Sequence, residues 1–215
     1  MLSAERLKAF VDAVVAIAMT LLILPLLENV AEFAREDKSA LQYVQEEGAQ
    51  LLSFALSFLI IAMFWMTHHR VFDRVQKSTN ALIWLQVAWM FTIVWLPVAT
   101  AMLGAMDTDT MQKSLYIGAL LASSLIMLGT RLYLRAHPDL HRINPTSLRH
   151  GLIADIVLCV MFAVSLAIAV FVPVIGYAAL FLLALSGPLQ AILARRGDAR
   201  LSARRRGGAD RDRVD

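Results

Sequence analysis

The stretch RLKAFVDAVVAIAMTLLILPL, residues 6–26, decides the fold of this chain because it is long and apolar enough to cross a membrane yet contains an aspartate. An α-helix needs about 20 mostly apolar residues to cross the hydrocarbon core of a bilayer, which is roughly 30 Å thick. Asp12 lies about one helical turn inside this segment, and Arg6 and Lys8 precede it. A desolvated carboxylate requires hydrogen-bond donors or a counter-charge around it. The segment therefore predicts a membrane helix held by polar contacts to its neighbours.

The composition indicates an integral membrane protein. Hydrophobic residues make up 59% of the 215 residues and charged residues only 17%, and the mean hydropathy is +0.63. These values leave too little polar surface to cover a soluble domain of this length. Cys159 is the single cysteine, which excludes an intrachain disulfide framework and a cysteine-ligated metal site.

Apolar stretches long enough to span a bilayer occur six times along the chain. They cover residues 8–27, 49–67, 80–104, 113–134, 150–172 and 174–194. The sequence therefore predicts an all-α, polytopic membrane protein with six transmembrane helices in residues 1–194. Residues 195–215 are predicted to form a basic, disordered cytoplasmic tail. A cleaved signal peptide is the alternative interpretation of the first stretch, but the stretch contains Asp12 and no clear cleavage site follows Pro25.

Basic residues concentrate on one side of the predicted membrane. The tails and even-numbered connections contain Arg6, Lys8, Arg70, Arg74, Lys77, Arg131, Arg135, Arg142, Arg149 and the arginines from Arg195 to Arg213. The odd-numbered connections are mainly acidic and have only Arg35, Lys38 and Lys113 as basic residues. Because Lys and Arg accumulate in cytoplasmic loops, both termini are predicted to be cytoplasmic. A short chain with one set of six spans and without an organellar targeting signal fits a protein of a prokaryotic plasma membrane.

The motifs of common enzymes and channels are missing from the sequence. No Gly-rich phosphate loop, nucleotide fingerprint, HExxH motif or Ser-His-Asp order is present, so we expect neither an enzyme nor a cofactor. The TVGYG filter of ordinary potassium channels is also missing. The arginine-rich tail is expected to anchor the topology near anionic lipid rather than to bind nucleic acid.

Three titratable side chains near the membrane interface are candidates for polar contacts. His68 and His69 end the second span, and adjacent helical residues point about 100° apart, so the two cannot share one metal without help. A hydrogen-bonding role is the favoured interpretation for them. Asp155 in the fifth span lies one to two turns from Arg149 and His150, and we expect it to be paired across helices, with an ion relay as the alternative.

A helical wheel divides the first span into two faces. At about 100° per residue, one face within roughly 60° of a line through Ile17 holds Phe10, Ala13, Val14, Ile17, Thr20, Leu21 and Leu24. Asp12 falls about 140° from Ile17, on the face expected to contact other helices of the same subunit. From periodicity alone, the apolar stripe fits ordinary helix packing or lipid contact.

Three short motifs resemble the transmembrane protein 175 family of potassium channels. The first combines Arg6, Phe10, Val11 and Asp12 with AIAMTLLIL at residues 16–24. The second is Trp65-x-x-His68-His69-x-x-Phe72, and the third is Trp95-Leu96-Pro97 with Thr100. The predicted six spans with cytoplasmic termini cover the whole chain and are similar to the single-repeat prokaryotic members.

The resemblance implies a homotetramer that conducts potassium and other monovalent cations through a central pore in the bilayer. The first helix of each subunit would line this pore, without a P-loop filter. The family's apolar constriction maps onto Ile17, Leu21 and Leu24, and its hydroxyl layer, implicated in cation selectivity, maps onto Thr20. Selectivity for potassium over sodium is expected to be modest because no ring of backbone carbonyls replaces the hydration shell.

The resemblance also implies a buried polar network of Arg6 and Asp12 with His68 or His69. This chain has Val11 where the family usually has serine, which removes a hydroxyl from the network. Pro25, directly after Leu24, is expected to end or kink the pore helix early.

Two other classes of function remain open at this stage. A secondary transporter would place Asp12, Asp155 and the histidines around a midplane site, usually with broken helices and internal repeats. A non-conducting membrane scaffold would need only the helix packing.

Overall fold

The computed structural model describes residues 3–105 and 109–171. Over these residues the chain is helical, apart from one isolated antiparallel bridge between Val75 and His141. The helices are α1 (Ala4–Leu21), α2 (Leu24–Arg35), α3 (Ala40–Glu46), α4 (Gly48–Phe72), α5 (Asn80–Ala105), α6 (Thr110–Ala136) and α7 (Pro145–Phe171). A single 3₁₀ turn, Pro138–Leu140, lies between α6 and α7. The all-α prediction is confirmed.

The described part of the chain contains five segments long and apolar enough to cross a membrane. They are α1 together with α2, followed by α4, α5, α6 and α7, and they correspond to the first five predicted spans. The predicted sixth span, 174–194, and the predicted tail, 195–215, lie outside the described residues.

The first span is longer than predicted and is interrupted. Ser3 caps α1, its Oγ accepting a hydrogen bond from the Arg6 amide at 3.3 Å. The helix ends at Leu21, and α2 begins at Leu24 after a two-residue interruption. Pro25 explains the interruption because its ring nitrogen cannot donate to the carbonyl of Leu21. The predicted effect of Pro25 is confirmed, and α2 then carries the chain beyond the predicted end of the span at residue 27.

One face of α1 is buried against α4 and α5. The buried residues recur every three or four positions, as a helix packed on one side requires, and are Leu7, Val11, Val15 and Ala18, followed by Leu22. Val11 is completely buried in this apolar cluster. The methyl groups of Val11 therefore fill core volume at the position where the related motif has a serine hydroxyl.

The packing of α5 against α6, and of α6 against α7, forms the largest part of the core. Leu82, Trp89, Ile93 and Leu96 on α5 are buried at helical spacing. One group of hydroxyls between the helices is paired: Ser57 Oγ on α4 lies 2.9 Å from Thr100 Oγ1 on α5 and 3.0 Å from Tyr116 Oη on α6. Such pairing removes the penalty of placing hydroxyl groups in an apolar interior.

Candidate ion pathway on the first helix

Four residues of the predicted stripe, Ile17, Thr20 and Leu21 on α1 and Leu24 at the start of α2, lie on a surface that no other helix in residues 3–105 and 109–171 covers. Ile17 is 59% exposed, Leu21 39% and Leu24 49%, and Thr20 is also exposed. These bulky residues lie opposite the buried face of α1, so packing among the described residues does not account for them.

The Thr20 side chain is oriented by its own helix. Thr20 Oγ1 donates a hydrogen bond to the carbonyl oxygen of Ile17 at 2.8 Å. Because this bond uses the hydroxyl proton, the oxygen presents only lone pairs to its remaining surroundings. That arrangement suits a cation better than an anion.

Asp12 is held by α4. Trp65 Nε1 donates to Asp12 Oδ1 at 2.8 Å, and His69 Nδ1 lies 3.7 Å from Asp12 Oδ2. The rings of Trp65 and His69 lie side by side, with centroids 5.4 Å apart. Trp65 thus supplies a hydrogen-bond donor that a carboxylate in an apolar helix requires, while His69 Nδ1 lies beyond hydrogen-bond distance.

His68 has a different environment from its neighbour. Its ring is fully buried and stacked between Phe72 and Trp89, at centroid distances of 4.3 and 4.6 Å. His68 Nε2 lies 2.7 Å from Gln86 Oε1, which accepts the hydrogen bond. Of the two histidines that the sequence left open, the structure places His69 beside Asp12 and uses His68 to join α4 to α5.

The two basic residues that precede Asp12, Arg6 and Lys8, have different surroundings. The side chain of Arg6 is exposed and forms no ion pair within residues 3–105 and 109–171. Lys8 instead pairs with Asp73, the residue that caps α4, and this hydrogen bond lowers the pKa of the Asp73 carboxyl. Sequence reasoning missed this pair. The available signal was the position of Lys8, one turn before Asp12 on the side that faces α4.

The opposite end of the first span is also tied to α4. Asn29 Nδ2 donates to Gln50 Oε1 at 2.7 Å and to Glu47 Oε2 at 3.1 Å. Tyr43 Oη on α3 donates to the carbonyl oxygen of Leu26 at 3.1 Å. These bonds attach α2 to the start of α4 and to α3.

Part of the acidic surface beyond the stripe is neutralised. Lys38 Nζ lies 2.9 Å from Glu46 Oε2 and 3.0 Å from Glu36 Oε2, and these hydrogen bonds raise the pKa of the Lys38 ammonium. Glu28 and Glu32 on α2 are exposed. Neither acidic residue of α2 forms an ion pair among the described residues.

Asp155 is paired on another helix, as predicted, but with a partner that sequence reasoning missed. Its carboxylate accepts a hydrogen bond from Arg131 Nε on α6, and both side chains are buried. Gly151 makes room for the pair, since a Cβ at that position would overlap the Arg131 guanidinium. In the described ranges, no group of three or more His, Cys, Asp or Glu residues is arranged to hold a metal ion.

Comparisons with known proteins bear on this arrangement. A family model described as endosomal/lysosomal potassium channel TMEM175 matches residues 6–97. A potassium channel of Chryseobacterium is 22% identical over 181 residues, which are 84% of this chain and 90% of that protein. The endosomal/lysosomal proton channel TMEM175 of Gallus gallus is 37% identical over 103 residues, which are 46% of this chain but only 21% of that protein.

A solved structure shares the fold. It is a crystal structure of a variant of the potassium channel MtTMEM175 in complex with a nanobody–MBP fusion protein. The TM-score is 0.61 at 18% identity, over 90% of this chain and 93% of that one. The family model, the curated relatives and the solved fold together confirm the resemblance of this chain to the TMEM175 family of potassium channels, with the match to the family model covering residues 6–97.

Proposed function

We propose that this chain is the subunit of a homotetrameric, potassium-preferring cation channel without a P-loop filter, whose pore is lined by α1. The observation that supports it best is the exposed face of the first span, where Ile17, Thr20 and Leu21 on α1 and Leu24 at the start of α2 are exposed. Relatives of the chain are named potassium channels or proton channels. In this proposal residues 1–194 form the channel domain, and both termini face the cytoplasm of a prokaryotic cell.

The apolar side chains would close the pore by excluding water. Four copies of the first span around one axis would place Ile17, Leu21 and Leu24 in successive rings, with four side chains in each. A cation that enters such a ring loses its hydration shell and finds no oxygen ligand, so its free energy rises steeply. A small outward shift of α1 would readmit water and remove the barrier.

Thr20 would supply the only side-chain oxygens within this apolar stretch. Its hydroxyl proton already bonds the Ile17 carbonyl, so the four oxygens could act as ligands for a partly dehydrated cation. Hydroxyl oxygens replace only part of a hydration shell, which favours the more easily dehydrated potassium over sodium by a modest factor. Glu28 and Glu32 would raise the local cation concentration at the outer mouth.

The first experiment tests the constriction. Full-length protein is reconstituted in liposomes, and potassium, sodium and proton fluxes are recorded for the wild type, Leu21→Ala and Leu125→Ala. Leu125 is a matched control because it is an exposed leucine on α6, away from the first helix. We expect Leu21→Ala to raise basal potassium flux several-fold by widening the ring, and Leu125→Ala to leave it unchanged. Equal fluxes in all three proteins would contradict the pore assignment.

The second experiment tests selectivity. Thr20→Val keeps the side-chain shape but removes the oxygen, and Thr20→Ser keeps the oxygen. The ratio of potassium to sodium permeability should fall in the valine variant and persist in the serine variant. A flux that saturates with substrate or requires a proton gradient would favour a transporter, whereas a folded tetramer without flux would favour a scaffold.

A further inference from the structure

Two loops at one end of the bundle are joined through their backbones. The loop after α4 and the loop after α6 meet in the antiparallel bridge between Val75 and His141. The Arg142 amide donates to the Arg74 carbonyl oxygen at 2.8 Å, which fixes these two arginines next to each other. The segment is therefore a paired structure rather than two independent loops.

The paired loops carry an excess of positive charge. The group Arg74, Lys77 and Arg142, hereafter the basic loop pair, is exposed, and none of its members forms an ion pair in the part of the chain that the structure describes. Two acidic residues lie in the same loops: Asp73, which is engaged by Lys8, and the exposed Asp139, which forms no ion pair among the described residues. Exposed Arg70 and Arg135, in the last turns of α4 and α6, add charge at the same end of the bundle.

An exposed tryptophan indicates the depth of these loops in the membrane. Trp84 on α5 is 64% exposed and lies about one turn from Asn80, where the helix begins. Exposed tryptophans of membrane proteins concentrate at the level of the lipid headgroups. Because Lys77 and Arg74 precede Asn80 on the water side, their side chains lie within reach of lipid phosphates.

We propose that the basic loop pair is a binding site for anionic phospholipid headgroups. Arg74 and Arg142 present two guanidinium groups, which bind phosphate oxygens in a bidentate manner. Their shared backbone hydrogen bond lowers the entropic cost of bringing both to one phosphate. The site does not involve the exposed face of α1, so it stands independently of the proposed pore.

The test measures lipid binding to the full chain. Wild type, Arg74→Gln, Arg142→Gln and the double variant are purified in detergent and titrated with phosphatidylglycerol or phosphatidylcholine, and bound lipid is counted by native mass spectrometry. A basic residue near the surface contributes to anionic-lipid binding by about fivefold in affinity. We expect each single variant to bind phosphatidylglycerol roughly fivefold more weakly and the double variant roughly 25-fold more weakly.

Three controls make the result specific. Arg35→Gln removes an exposed charge from the other end of the bundle and should not change binding. Arg74→Lys with Arg142→Lys keeps the charge but loses the bidentate geometry, so its affinity should lie between those of the wild type and the double glutamine variant. Thermal melting checks that each variant is folded. The proposal is overturned if Arg35→Gln weakens binding as much as Arg74→Gln does, if the double variant binds like the wild type, or if inorganic phosphate displaces the lipid at equal concentration.

Discussion

Replacing Asp155 with leucine is expected to destabilise the fold, because the change leaves the Arg131 guanidinium buried between α6 and α7 without its counter-charge. The side chain of Asp155 is only 2% exposed and that of Arg131 10% exposed. Water therefore cannot replace the lost carboxylate. The Arg131 guanidinium lies directly against Gly151 on α7, where only the absence of a side chain leaves room for it.

The size of the effect follows from this burial. Removing one partner of a buried ion pair costs about 3–5 kcal/mol, which lowers the ratio of folded to unfolded protein by roughly 150- to 5,000-fold. For a chain of this length the melting temperature should fall by about 6–20 °C. The single variant Arg131→Met should be destabilised in the same way, since it leaves Asp155 unpaired.

Thermal melting of the purified protein in detergent measures the effect, and the double variant tests its cause. When both charges are replaced, by Asp155→Leu with Arg131→Met, no unpaired charge remains, and such replacements are often neutral or stabilising. The double variant should therefore melt close to the wild type. The reasoning is refuted if Asp155→Leu has the same melting temperature as the wild type. It is also refuted if the double variant loses as much stability as the two single variants added together.

Two further predictions concern the contacts between α1 and α4. Asp12→Asn keeps an oxygen that accepts from Trp65, whereas Asp12→Ala loses the bond and should cost about 1.5–3 kcal/mol; thermal melts and liposome flux should show damage to stability or gating, with the potassium-to-sodium ratio unchanged. The pair of Lys8 and Asp73 predicts a pH dependence: because the folded-state pKa of Asp73 lies below its unfolded value, the pair stabilises the fold above that unfolded value and loses its contribution as the pH falls through the folded value. The melting temperatures of the wild type and Lys8→Gln should therefore differ near neutral pH and become equal in acid. A difference in melting temperature that stays constant across that pH range would disprove the assignment.

Hydropathy and periodicity were sufficient for the long-range architecture of the described spans. The first five apolar stretches are helices because each is long enough to satisfy its backbone hydrogen bonds within the membrane. The stripe on α1 was also predictable, since residues three and four apart share a helix face. The end of the first span was not, because α2 continues as a helix through the polar sequence beyond Glu28, held by the side-chain contacts of Asn29 and Tyr43.

Side-chain partners were harder to predict than helices. The choice between His68 and His69 depends on how α4 is rotated against α1 and α5, and an almost uniformly apolar helix carries no periodic signal for that rotation. Arg131 and Asp155 are 24 positions apart on two helices, so only the packing of α6 on α7 brings them together. Sequence alone gave the need for a partner but not its identity.

The two-residue interruption at Leu22 and Ile23 lies between two attachments to the same helix. Lys8 ties the start of α1 to the end of α4, and Asn29 ties the start of α2 to the start of α4. The first span is thus attached to α4 on both sides of the interruption between α1 and α2. We expect a helix held in this way to bend at the interruption rather than to tilt as a rigid unit. A lateral force on the span would therefore displace Leu21 and Leu24 most, and Lys8 and Asn29 least.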